Sequence, residues 1–80
     1  MRIPRDLSGS ELVKGLGKLG YTVTLQTGSH LRLTRTETGK HHVTIPNHDP
    51  LCVGTLAAIL DSVARHLGET RDYVLDRLMR

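Results

Sequence analysis

Phenylalanine and tryptophan are absent from this chain, and tyrosine occurs only twice, at Tyr21 and Tyr73. Readers of single-stranded nucleic acid usually stack bases on several exposed aromatic rings, and a platform of that kind is excluded. Cysteine occurs once, at Cys52, which rules out an intrachain disulfide and a zinc site built on paired cysteines. No run approaches the ~20 apolar residues of a membrane-spanning helix. Met1 to Asp6 also lacks the apolar stretch of a signal peptide. The expectation is a cytoplasmic protein with no membrane partner. A P-loop, a G-x-S-x-G elbow, an H-E-x-x-H helix and a dinucleotide fingerprint are all missing. The carboxylates are scattered, with no evident pair for glycoside chemistry. Nothing here asks for a cofactor.

What remains is an 80-residue chain, 38% hydrophobic, with its apolar residues drawn from Leu, Val, Ile and Ala. That suits one domain with a modest core, because a chain this short buries only about 60% of its unfolded surface. Lys and Arg outnumber Asp and Glu by 11 to 8. The excess is uneven: residues 1–48 carry a formal +4, whereas residues 49–80 carry −1. A basic half suits a polyanionic partner, although charge asymmetry alone is weak evidence.

The periodicity changes along the chain in an informative way. Residues 1–7 read as a lead-in. Ser8-Gly9-Ser10-Glu11 reads as a capping box, followed by Leu12, Val13, Leu16 and Leu19 at helical spacing, so a helix is expected over about 9–19. From Tyr21 the period is two. Tyr21, Val23 and Leu25 share one face, expected to be the core side, with Thr22, Thr24 and Gln26 on the other. A turn at Thr27-Gly28 leads to a strand with Leu31 and Leu33 inward and His30, Arg32 and Thr34 outward. The Glu37-Thr38-Gly39-Lys40 loop joins it to a third strand, with Val43 and Ile45 inward and His42 and Thr44 outward, ended by Pro46. A second helix is expected over about 55–67, closed by Gly68. A short third helix follows, capped by Thr70 and carrying Val74, Leu75 and Leu78. The fold class is therefore α+β, ordered α-β-β-β-α with a helical tail. A three-stranded antiparallel sheet has helices on one face and leaves the other open to a partner. The core spans 8–67 and the tail 68–80, in a single domain over 1–80.

Gly20-Tyr21, Gly28-Ser29-His30, Val43-Thr44-Ile45-Pro46-Asn47-His48, Gly54-Thr55-Leu56 and Ile59-Leu60 together resemble the HicA toxin family. The resemblance runs from about Ser8 to Leu67, with each motif in family order. It implies a double-stranded-RNA-binding-domain-like fold and a messenger-RNA endonuclease (an mRNA interferase) held in check by a HicB-type antitoxin. It also places the family's active histidine on His30.

Pattern and resemblance meet at His30, on the open face just after a tight turn. Metal-independent RNA cleavage needs a base for the 2′-hydroxyl proton and cations for the phosphoryl charge. Histidine, with an unperturbed pKa of about 6.5, suits the first task. His30 is the expected general base or acid, and Arg32 on the same face is the expected phosphate holder. Gly28 and Ser29 are candidate phosphate contacts at the turn, each with a plain turn role as its alternative. Arg35 and Lys40 near the second hairpin are further candidate contacts, with solvated surface charge as the alternative. His42 has the parity of His30 and is a candidate second proton carrier or RNA contact, the alternative being a polar strand residue. His41 shares the core parity and reads as structural or solvated. His48 reads as ordering its loop. A zinc site from His41, His42, His48 and Cys52 is not expected, since adjacent strand histidines face opposite ways. Beside the ribonuclease stand two other readings: a non-catalytic RNA-binding domain of the same fold, and a protein-docking module.

Overall fold

Helix α1 begins where the capping box places it, spanning Gly9–Gly17 in a computed structural model that describes residues 3–80. Met1 and Arg2, the first residues of the expected lead-in, lie outside the described residues. The Ser8 hydroxyl accepts the Glu11 backbone N–H at 3.1 Å, and the Glu11 carboxylate accepts the Ser8 N–H at 3.0 Å. These two bonds satisfy donors that the first helical turn leaves without partners. They also hold the Glu11 carboxyl below its ordinary range, the Ser8 backbone N–H contributing most. The helix stops two residues short of Leu19. Lys18, Leu19 and Gly20 instead donate to carbonyls three residues back, a tightened last turn containing Gly15 and Gly17.

Strands β1 (Thr22–Thr27), β2 (His30–Arg35) and β3 (His41–Pro46) form an antiparallel meander in the order β1-β2-β3. Helix α2 spans Val53–Leu67, two residues longer at its start than the periodicity indicates, and Gly68 closes it with a φ of 68°. Helix α3, Arg71–Leu78, is capped by the Thr70 hydroxyl as expected. Arg71 reaches back to Asp61 on α2 with two bonds of 2.7 Å, and this pairing lowers the Asp61 carboxyl.

The core lies between the sheet and the helices. Leu12 and Leu16 from α1, Leu33 and Ile45 from the sheet, Leu56, Leu60 and Val63 from α2, and Val74 and Leu75 from α3 are all buried. Each contributes about 1.5–3 kcal/mol by leaving water. The inward parity of Leu33, Val43 and Ile45 is as expected, with Leu31 partly buried beside them.

Strand β1 departs from its expected pattern. Val23 and Leu25 are 47% and 51% exposed rather than buried. The register accounts for Leu25, which pairs with Arg32 because Thr24 is an extra residue in a bulge; Val23 pairs with Leu33 and keeps the inner side, on an edge strand with no buried residue. A bulge reverses which face the following residues occupy. Beyond it, Leu25 and Thr27 lie on the face of Arg32 and His30. Tyr21, before the bulge, is buried as expected, with its hydroxyl 2.6 Å from His41 Nδ1.

Candidate functional site

The uncovered sheet face can be laid out in three rows by strand register. The first holds Thr27, His30 and Pro46; the second Leu25, Arg32 and Thr44; the third Thr22, Thr34 and His42. Threonine dominates because its branched side chain suits a strand while its hydroxyl stays in water.

A two-residue turn, Gly28-Ser29, sets the first row, since Thr27 and His30 pair directly across it. Gly28 has a φ of 56°, whereas Ser29 is not among the positive-φ residues, which is the glycine-first pattern of a type II′ hairpin. The turn is anchored by Asn47, just past the end of β3, whose N–H donates to the Ser29 carbonyl at 2.6 Å. His30 therefore stands at the first position of β2, exposed to solvent and held between two strands.

A groove of about 360 Å³ runs over this face, lined by Leu25, Thr27, His30, Arg32, His42 and Thr44. A neighbouring hollow of about 460 Å³ extends it past Thr24, Thr34 and Thr36 to Lys40. No carboxylate lines either one. The face thus presents Arg32 and Lys40 together with His30 and His42, an arrangement suited to a polyanionic chain.

His42 has the expected parity but stands opposite Thr34, not opposite His30. Four strand positions separate Thr34 from His30, about 13 Å at the usual rise. His42, the candidate second proton carrier or RNA contact, therefore stands at the far end of the His30 face, two rows away. Its ring is oriented by a hydroxyl chain. Thr34 Oγ1 lies 2.8 Å from His42 Nδ1 and 2.8 Å from Thr24 Oγ1. Thr34 is consequently buried on an otherwise open face.

Arg35 requires a correction of position. Its side chain is only 12% exposed and lies away from the His30 rows. Nε donates to the Leu19 carbonyl at 2.8 Å, and Nη1 donates to the Glu37 carbonyl and the Thr38 hydroxyl. Nη2 pairs with Glu37 at 3.1 Å. A guanidinium with its donors committed in this way ties the second hairpin to the α1–β1 connection.

The remaining histidines fall elsewhere. His41 lies on the inner side, with Tyr21 Oη at its Nδ1 and Ser62 Oγ at its Nε2, 3.1 Å away. Its ring stacks on His66 at 4.4 Å between centroids. Burial, reinforced by His66, His42 and Arg35, pushes the His41 imidazole below its ordinary range. His48 occupies an exposed connection and holds it through its backbone, its carbonyl accepting the Gly9 N–H at 2.8 Å. Among the described residues, no three His, Cys, Asp or Glu side chains gather as metal ligands. None of the described helices is long and apolar enough to cross a membrane.

Two features of this face escaped the sequence pattern: Leu25, brought outward by the bulge, and the Thr24–Thr34–His42 chain.

The family model described as the HicA toxin of bacterial toxin-antitoxin covers residues 9–68. Neither the curated proteins nor the solved structures yield a match.

Proposed function

The chain belongs to the HicA toxin family of bacterial toxin–antitoxin systems, and from that premise we propose that it is a metal-independent endoribonuclease acting on messenger RNA. The observation that carries this reading is the placement of His30. It is exposed on an uncovered, carboxylate-free sheet face, one row from Arg32.

In this reading the imidazole takes the proton of a ribose 2′-hydroxyl, and that oxygen attacks the adjacent phosphorus. The O2′–P bond forms, the P–O5′ bond breaks, and the 5′-oxygen leaves with a proton from the imidazolium or from water. Arg32 holds the non-bridging phosphate oxygens, whose charge grows as the fifth bond forms. Gly28 and Ser29 let the strand approach the turn closely. Lys40 and His42 contact phosphates further along the groove. The domain is the whole chain, 1–80. It acts in the cytoplasm, where messenger RNA is found, and a HicB-type antitoxin restrains it by covering the His30 face.

The test is cleavage of a defined RNA in the presence of chelator by the parent and by His30→Ala. The parent cleaves and the variant, folded to the same melting temperature, does not. Parental cleavage by His30→Ala removes His30 from the mechanism. One observation favours the second reading, a non-catalytic RNA-binding domain: the His30 ring has no hydrogen-bond partner among the described residues to orient it. Retention of RNA without cleavage by the parent decides for that reading.

A further inference from the structure

We propose that Leu25 is the floor on which an unpaired nucleobase of the bound RNA rests, and that it thereby sets the base preference beside His30. This rests on the reading of the open face as an RNA-binding surface.

The physical case starts from an exposed aliphatic side chain where a polar one is expected. Leu25 is 51% exposed in a groove whose other lining residues are Thr, His, Arg and Lys. It reaches that face only because the bulge at Thr24 inserts an extra residue. With regular pairing, Thr24 would oppose Arg32 and Leu25 would fall on the inner side beside Val23, so the bulge decides which face shows the leucine.

Its surroundings match one chemical class of ligand. Arg32 stands directly opposite Leu25, so that a guanidinium whose edge donors hold phosphate can offer its planar face to a heterocycle. Thr27 and Thr44 line the same groove, with hydroxyls able to donate or accept. An apolar floor, a planar cation and flanking hydroxyls suit a flat heterocycle with a hydrogen-bonding edge. The groove, about 360 Å³, lies at the small end of ligand-site volumes. Neither tyrosine lines it, so aliphatic contact takes the place of aromatic stacking. A protein partner would also cover a leucine. The absence of carboxylates and the two fixed cations favour a polyanion that carries its own apolar faces, which is RNA.

The test measures binding in the non-cleaving His30→Ala background, using one oligoribonucleotide with an abasic ribose placed at each position in turn. With Leu25 present, one abasic position weakens binding by about fivefold, the loss expected when half a leucine side chain is no longer covered. In the Leu25→Ser protein the intact oligomer binds weaker by a similar factor, and the abasic substitution at that position has no effect. Leu25→Phe strengthens the dependence, because an aromatic ring stacks better than an aliphatic chain. Thermal melting confirms that each variant folds. A Leu25→Ser protein that keeps both parental affinity and the abasic penalty overturns the proposal. So does one that binds RNA as before but escapes its protein inhibitor. A parent that cleaves no RNA while the Leu25-dependent penalty persists sinks the nuclease reading and leaves this assignment standing.

Discussion

Three glycines in α1 provide one substitution with three different outcomes. A Cβ added at Gly9 would fall well inside contact distance of the Pro46 carbonyl oxygen, and within 3.2 Å of the Asn47 Cα. Both neighbours are backbone, and the Gly9 N–H is already bonded to the His48 carbonyl, so neither side can give way cheaply. Overpacking of this kind costs about 3 kcal/mol, offset by about 1 kcal/mol from alanine's higher helix propensity. Gly9→Ala is therefore expected to destabilise by about 2 kcal/mol, lowering Tm by roughly 8–16 °C for a domain of this size. At Gly17 nothing lies within 4 Å, and Gly17→Ala should stabilise by about 0.5 kcal/mol. At Gly15 the new methyl meets Leu78 Cδ2 at 3.1 Å, the end of a side chain that can shift, so the two effects nearly cancel. Urea and thermal unfolding of the three single variants supply the measurement. Gly9→Ala has a second consequence, because Pro46 pairs with His30. The displaced connection should lower cleavage further than the unfolded fraction accounts for. If Gly9→Ala and Gly17→Ala shift stability in the same direction by similar amounts, the steric reasoning is wrong.

The other predictions concern charge. The folded-state pKa of His41 is depressed from 6.5 by burial above all, so below pH 6.5 the unfolded chain takes up the proton first. Stability should therefore fall from pH 7.5 to 5.5, and His41→Gln should flatten that slope in urea midpoints; an unchanged slope refutes the assignment. Arg32→Gln should weaken RNA binding across sequences and reduce the salt dependence of log K by about 0.7, the single-strand value for one phosphate contact. A full parental slope would take Arg32 off the phosphate.

The element order and the placement of His30 were legible in the sequence, because strand parity and turn chemistry act locally. His30, Arg32, Thr44 and His42 share a face simply because side chains alternate, and Gly28 marks the turn that starts β2. The bulge was not legible. Thr22 to Thr27 alternates without a break and contains no glycine, so nothing local marks Thr24 as the extra residue. That choice is made by pairing with β2, a long-range event that the strand's own residues do not encode. Arg35 is a different case: its parity with Leu31 and Leu33 already separates it from His30, and only its closeness to the hairpin suggested a phosphate contact. His66 entered no reading of the sequence, although it continues the spacing of Ile59 and Val63 along α2.

In the proposed reading the two faces of the sheet divide stability from chemistry, and the histidines illustrate the division. His41 is bonded at both ring nitrogens, so using it as a base would first break a contact to Tyr21 or Ser62. Its stacking on His66 further penalises a proton there, because a charge would be placed beside a second imidazole. Such a residue holds the α2–β3 contact together and is unsuited to gaining and losing protons during turnover. His30 has neither constraint, since among the described residues nothing is bonded to or stacked on its ring. The same separation applies to Arg35 and Arg32, one with its donors spent on carbonyls and the other opposite Leu25 in the groove. A sheet covered on one side only can therefore change its chemistry on the open side at little cost to the fold. Substitutions at His30, Arg32 and Leu25 should melt close to the parent, because each removes an exposed side chain from a surface that makes no core contact.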